Sequence, residues 1–172
     1  EAGGVSANRV ARWDGQGWSP LGLGLGGAVY ALAVGQDGSL YAGGDFTTAG
    51  GASANRIARW DGSAWSPLGG GVNGRVYVMA ARPETGLLTV GGAFTTAENG
   101  SLTASGIATW DGSTWSALGN GVGATGSPRV TSLAILGNDL VVGGFFSTAG
   151  GSTAINIARW DGVSWSQVGG GI

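Results

Sequence analysis

Few residues of this sequence can do chemistry, because it contains no His, no Cys and no Lys. Without imidazole or thiol groups there is no Cys/His metal site, no disulfide framework and no Ser–His or Cys–His nucleophile pair. Two acids, Asp45 and Glu98, would need to lie about 5 to 9.5 Å apart across a cleft for glycoside cleavage. The sequence offers Asp45 no obvious acidic partner, so we predict no catalytic residue and no cofactor.

The remaining acids have structural explanations. Asp37, Glu84 and Asp139 fall in equivalent turns between strands, and a further Asp occurs in each copy of a repeated Trp-Asp-Gly motif. Asp is a common turn former, because its side chain caps nearby backbone N–H groups. The spacing of the repeated Asp lacks the alternating carboxylates of a calcium loop. We therefore predict no metal site.

Candidate binding residues lie in loops that differ between copies of the repeat. The loop that enters the first strand ends at Arg75 in one copy and at Arg129 in the next, where it is four residues longer. The loop 95–105 is two residues longer than its counterparts. Divergent loops carry function in repeat proteins, so we predict a binding surface at Asn73, Arg75, Asn99 and Arg129, with neutral drift as the alternative. Residues 99–101, Asn-Gly-Ser, also match the N-glycosylation acceptor pattern.

The repeat itself must position these residues. Trp-Asp-Gly recurs at residues 13–15, 60–62, 110–112 and 160–162, with spacings of 47, 50 and 50 residues. A second Trp follows five residues later each time, so the repeat accounts for every Trp of the chain: Trp13, Trp18, Trp60, Trp65, Trp110, Trp115, Trp160 and Trp165. We predict one domain, 1–172, made of a half unit 1–21 and the units 22–68, 69–118 and 119–172.

Each full unit predicts four short strands separated by turns. In the second unit these are 29–34, 40–44, 55–60 and 65–68, with Asp-Gly turns between the first pair and between the last pair. If 61–64 form the hairpin loop, Trp60 faces Trp65, and Ile57 faces Leu68 on the opposite side. A sheet that is apolar on both sides must be covered on both sides. We therefore predict an all-β fold, a β-propeller of four-stranded antiparallel blades with about 3.5 blades present; a flat sandwich or solenoid is the rival.

The order of these motifs resembles kelch-type propellers, in which a strand ending in Gly-Gly precedes a strand ending in an aromatic residue and then a Trp. Here the corresponding residues are 40–44, 57–60 and Trp65, and a kelch unit usually has Tyr in place of Trp60. The sequence of residues 42–68 is more similar to repeats of large secreted or surface-anchored bacterial proteins. The resemblance implies an extracellular or cell-surface location and a binding, adhesive or scaffold role.

Bulk properties narrow the function classes further. The formal net charge is −2 and the eight Arg are spread singly along the chain, so no nucleic-acid surface is predicted. No apolar run approaches the roughly 18 residues of a membrane span. Three classes remain: a structural or adhesive module that assembles with other copies or with further repeats of a longer chain, a lectin-like propeller that binds glycan, and a glycan-acting enzyme domain. The half unit favours the first class, because an incomplete blade needs strands from elsewhere.

Overall fold

The fold is all-β, as predicted. A computed structural model of the chain describes residues 1–82, 84–124 and 126–170. The first unit contributes β1 (Ala11–Trp13) and β2 (Trp18–Pro20). The second contributes β3 (Ala28–Val34), β4 (Leu40–Asp45), β5 (Thr48–Ala49), β6 (Ala52–Ser53), β7 (Ile57–Trp60) and β8 (Trp65–Pro67).

The third and fourth units repeat this order. The third contributes β9 (Arg75–Arg82), β10 (Leu87–Ala93), β11 (Thr96–Ala97), a 3-10 turn (Glu98–Gly100), β12 (Leu102–Thr103), β13 (Ile107–Trp110) and β14 (Trp115–Ala117). The fourth contributes β15 (Val122–Gly123), β16 (Arg129–Leu136), β17 (Asp139–Phe145), β18 (Thr148–Ala149), β19 (Ser152–Thr153), β20 (Ile157–Trp160) and β21 (Trp165–Gln167). No helix of the described residues is long and apolar enough to cross a membrane.

The long strands form one half blade and three complete blades within the described residues. Strands β1 and β2 make a two-stranded half blade, here called blade 1. Blade 2 has the order β3-β4-β7-β8, blade 3 the order β9-β10-β13-β14, and blade 4 the order β16-β17-β20-β21. Every neighbouring pair is antiparallel. This is the architecture of a partial β-propeller, which confirms the predicted fold class.

The hairpin register follows the predicted count. Trp60 pairs with Trp65, and their rings lie 5.5 Å apart between centroids at a tilt of 50°. The turn between them is held by Asp61, whose Oδ1 accepts the backbone N–H groups of Ser63 and Ala64, each at 2.8 Å. These bonds lower the pKa of Asp61 to about 2. The other three Trp-Asp-Gly turns have the same Asp contacts, so the repeated Asp caps the turn in every unit.

The blades stack face to face and share apolar cores. Trp65 belongs to the core between blades 1 and 2, together with Val10 and Leu21. Ile57 and Leu68, on the opposite side of the same hairpin, belong to the core between blades 2 and 3. A third core fills the space between blades 3 and 4. Each hairpin therefore buries apolar side chains on both faces, which explains why sheets rather than helices cover it.

Glycine sets the distance between neighbouring blades. A Cβ on Gly43 would lie 2.5 Å from Cγ1 of Val76 in the next blade, and one on Gly91 would lie 2.6 Å from Cγ1 of Val130. No other residue allows a backbone and a valine to approach this closely. The first Gly of the Gly-Gly pair in blades 2 and 3 thus receives a valine knob from the first strand of the following blade.

Two features join each blade to its predecessor beyond this stacking. The second Trp of a blade donates its indole N–H to the last residue of the preceding hairpin: Trp65 to Leu21 O at 2.8 Å, and Trp115 to Leu68 O at 3.0 Å. The segment between second and third strands folds into a short hairpin that also bridges to the linker from the preceding blade, as Val72 does to Ala97. These hairpins are not predictable from the sequence pattern, because strands of two residues leave no periodic signal.

The predicted third strand begins later than expected. It starts at Ile57 rather than Asn55, because Arg56 adopts a left-handed backbone conformation with φ of 67°. Its N–H donates to Phe46 O and its carbonyl accepts the N–H of Gly44, which turns the chain into the strand. Equivalent residues in the other units, Arg9 (φ 69°), Gly106 (φ 73°) and Asn156 (φ 61°), have the same conformation. The left-handed residue is therefore a feature of every unit.

Candidate functional site

The starts of the first strands and the ends of the second strands share one edge of the blades, here called the loop face. The register there pairs Ala28 with Asp45, Arg75 with Ala93, and Arg129 with Phe145. A cavity of about 440 Å³ opens on this face, and its lining residues are Asp45, Arg56, Gly74, Arg75, Tyr77, Ala93, Ser127 and Arg129. We call it the arginine cavity. Its volume falls within the range of about 300 to 1,000 Å³ that is usual for ligand pockets.

Asp45 pairs with two of the three arginines. Its carboxylate accepts a hydrogen bond from Nε of Arg56 in its own blade at 3.2 Å, and one from Nε of Arg75 in the next blade at 2.7 Å. The bond from Arg75 is the main reason that the pKa of Asp45 is lowered. The pKa of Arg75 is raised by Asp45 and then by Tyr77. The ion pair thus ties blades 2 and 3 together and fixes two guanidinium groups on the cavity wall.

Arg129, the third arginine, is held by an aromatic ring. Its guanidinium carbon lies 4.0 Å from the centroid of the Phe145 ring, within cation–π distance. None of the described carboxylates lies within ion-pair distance of Arg129. Arg129 therefore brings to the cavity a positive charge that is not ion-paired with any described acidic side chain.

The two predicted asparagines lie in a different place. Asn73 is committed to the fold, since its Oδ1 accepts the N–H groups of Thr95 and Thr96, and its Nδ2 donates to Thr95 Oγ1 at 2.9 Å. Asn99 lies in the 3-10 turn and accepts a long hydrogen bond of 3.5 Å from Asn55. Both line a second cavity of about 290 Å³. The structure thus brings Arg75 and Arg129 together, and Asn73 and Asn99 together, but the two pairs line separate cavities.

The two acids considered for catalysis have separate surroundings. Asp45 is ion-paired with arginines, whereas Oε1 of Glu98 accepts the backbone N–H of Gly70 at 3.1 Å. None of the five best-defined cavities in the described part of the chain is lined by both. Nor do three acidic, His or Cys side chains cluster anywhere in residues 1–82, 84–124 and 126–170 as a metal site would require.

Sequence reasoning missed Arg56 and Tyr77 as partners of Arg75 and Arg129. The sequence feature that points to this cavity is the position directly after Gly-Gly, which holds Asp45, Ala93 and Phe145 in successive units. These positions differ completely, although their neighbours Gly-Gly and Phe recur. Each residue faces the first residue of its own blade's first strand, so the divergent residues all lie on the loop face.

Comparison with known proteins supports the fold and leaves the ligand open. A family model described as "Domain of unknown function (DUF5122) beta-propeller" matches residues 35–60. This segment runs from the turn between β3 and β4 to the end of β7 in blade 2. No curated protein matches the chain. Sequence and structure therefore agree that the chain is built from β-propeller repeats.

Proposed function

We propose that this chain is a non-enzymatic structural module of an extracellular or cell-surface protein, and that its two open end faces pack against further repeat units of the same kind. One observation carries the proposal: residues that are buried between blades elsewhere are exposed at the ends. On the first strand of blade 2, Leu32 is 53% exposed, whereas its equivalent Met79 in blade 3 is 9% exposed. The inner strands of blade 2 cover Met79, and blade 1 has no inner strands among the described residues to cover Leu32.

The other end face is uncovered in a complementary way. Leu136 and Phe145 of blade 4 are exposed on the side that a following blade would cover. A Cβ on Gly143 meets only atoms of its own blade and of the neighbouring Asn156, whereas one on Gly43 or Gly91 meets the valine of the next blade. At the blade 4 end, Gly143 therefore has no valine packed against it. At the opposite end, Val29 of blade 2 has no glycine of a preceding blade to pack against. Surfaces of this heterologous kind join head to tail.

The resemblance to kelch-type units and to repeats of secreted bacterial proteins supports the proposed location and scaffold role. The contacts of Asp45 support the absence of catalysis, since a carboxylate bound to two arginines is a poor general acid or base. A pair of strands equivalent to β3 and β4 would complete blade 1 and so cover the open face of blade 2. A further blade would then pack on the other side of blade 1.

The test supplies these strands. A copy of residues 22–48, fused directly before Ala2, would complete blade 1. We expect Leu32 to become protected from solvent, seen as slower hydrogen exchange in β3 and a higher free energy of unfolding. The matched control carries the same 27 residues in scrambled order.

If the fused strands stay unstructured and β3 remains unprotected, the proposal is wrong. Sedimentation of the unfused chain over a range of concentrations shows whether a second copy can occupy the same face. Self-association that the fused strands abolish would support that use of the face. A monomer that gains nothing from the fusion would contradict the proposal.

A further inference from the structure

We propose that the arginine cavity is a binding site for a carboxylate-bearing sugar, such as a uronic acid unit of a polysaccharide. The first argument is charge. Three guanidinium groups and one carboxylate line the cavity, so the site is positive although the chain as a whole has a net charge of −2. Each guanidinium has several N–H donors, and Arg56 and Arg75 each donate one of theirs to Asp45. The remaining donors can bind an anion.

The second argument is preorganisation. Arg56 and Arg75 are fixed by Asp45, and Arg129 is fixed by the Phe145 ring. Long cationic side chains lose rotamer freedom when they bind a ligand, and side chains that are already held lose less. Arg75 nevertheless stays 56% exposed, so its guanidinium is accessible from solvent. A guanidinium held in this way is suited to bind a planar carboxylate through two parallel hydrogen bonds.

The third argument selects a sugar over a simple anion. Tyr77 lines the cavity, and its ring lies 5.8 Å from that of Tyr30 on the neighbouring first strand. Tyr30 is about half exposed. An aromatic ring can cover the apolar C–H face of a pyranose, and the hydroxyls of Tyr77 and Ser127 can bond its hydroxyl groups. Guanidinium, aromatic and hydroxyl groups therefore surround one space large enough for a sugar ring.

The fourth argument is the distribution of differences among the repeats. Arg75 and Arg129, which begin β9 and β16, take the place of Ala28 in β3. The residue opposite also differs in each blade: Ala93 faces Arg75, Phe145 faces Arg129 and Asp45 faces Ala28. The apolar packing between blades uses other residues, since the valine knob and the glycine lie one and two residues away. Variation confined to a loop face that is otherwise regular is where repeat proteins carry their binding residues. The inference is independent of how the end faces are covered.

Calorimetric titration of the whole chain with trigalacturonate tests the inference. The neutral galactose trisaccharide, inorganic sulfate and a Glu-rich peptide are titrated in parallel at the same ionic strength. We expect trigalacturonate to bind, the neutral sugar to bind at least about tenfold more weakly, and affinity to fall at high salt, because partly exposed charges are screened. Sulfate alone should bind more weakly than the sugar acid.

The informative variant is Arg129→Gln, which removes the unbalanced charge while leaving the Asp45 ion pair in place. We expect it to weaken trigalacturonate binding about tenfold or more, the equivalent of about 1.4 kcal/mol. Its matched control is Arg12→Gln, which removes an arginine of blade 1 that lines a different cavity and has no ion-pair partner among the described residues. Unchanged thermal midpoints would show that both variants are folded.

Three outcomes would overturn the inference. In the first, trigalacturonate does not bind. In the second, it binds equally to wild type and Arg129→Gln, which would place the site elsewhere. In the third, the Glu-rich peptide binds in an Arg129-dependent way and the sugar acid does not, which would assign the cavity to an acidic peptide. None of these results bears on blade packing, which the strand fusion tests separately.

Discussion

The hairpins of blade 1 and blade 2 have nearly the same sequence and very different surroundings. Residues 10–21 and 57–68 differ at only three positions, and in both the Trp rings lie 5.5 Å apart. Trp65 is 8% exposed and donates its indole N–H to Leu21 O, whereas Trp18 is 42% exposed and has no acceptor among the described residues. The sequence of each hairpin therefore determines its local fold, but the burial of its second Trp depends on the preceding blade.

The largest effect is expected when Trp65 and Trp18 are each truncated to alanine. We expect Trp65→Ala to lower the free energy of unfolding by about 3 to 5 kcal/mol, because it opens a cavity and removes one of the two hydrogen bonds that Leu21 O accepts. Trp18→Ala should cost about 1 kcal/mol, mainly the lost contact with Trp13. Urea unfolding of both variants measures the difference. Equal costs would show that the Trp pairs act within the hairpin alone.

A second test concerns the glycines that receive the valine knobs. Gly43→Ala places a methyl group 2.5 Å from Val76 Cγ1, in the buried core between blades 2 and 3. We expect it to cost about 1 to 3 kcal/mol through overpacking. Gly143→Ala is the matched control in blade 4, where the nearest atom is the Ser132 hydroxyl oxygen, which can rotate away. It should cost less than about 1 kcal/mol, so thermal unfolding should rank Gly43→Ala as clearly more damaging.

The smallest expected effect concerns the arginine before the first Trp. Arg59 donates to Asp37, and this bond lowers the pKa of Asp37 to about 2, whereas Arg12 of blade 1 has no ion-pair partner among the described residues. Because the pKa of Asp37 in the folded state lies below its ordinary value of 3.8, ionised Asp37 favours the folded state above pH 3.8, and this stabilisation is lost as pH falls towards about 2.

Arg59→Gln should therefore flatten the fall of the thermal midpoint between pH 4 and 2, while Arg12→Gln should leave it unchanged. The ion pair is exposed, so at neutral pH we expect Arg59→Gln to cost less than about 1 kcal/mol. A steep acid transition that persists unaltered in Arg59→Gln would assign it to other carboxylates, such as the turn residue Asp61, whose pKa is also lowered to about 2.

Arg59 and Arg159 pair with turn carboxylates, whereas Arg12 has no ion-pair partner among the described residues. Arg159 donates to Asp139 at 2.7 Å, as Arg59 does to Asp37. In both cases the acid comes from the turn between the first and second strands of the same blade. The described residues of blade 1 contain no such strands, so the same Arg-Trp-Asp sequence has no partner there.

The sequence determined the four-stranded unit, the Trp hairpin register and the need for blades to cover each other. These depend on contacts within about 50 residues and on side-chain alternation, both of which recur in every unit. It also pointed to Arg75 and Arg129 through their positions in divergent loops. Asn73 and Asn99 were chosen for the same reason, yet they line another cavity, since loop position says nothing about which cavity a side chain lines.

Only the tertiary structure decided how residues of different blades meet. Asp45, Arg75 and Arg129 come from three successive blades, and the distance between them depends on blade spacing, which the Gly43–Val76 approach sets. Which Trp is buried also depends on a neighbouring blade rather than on the Trp's own hairpin. Contacts between blades join residues far apart in sequence, so no local pattern records them.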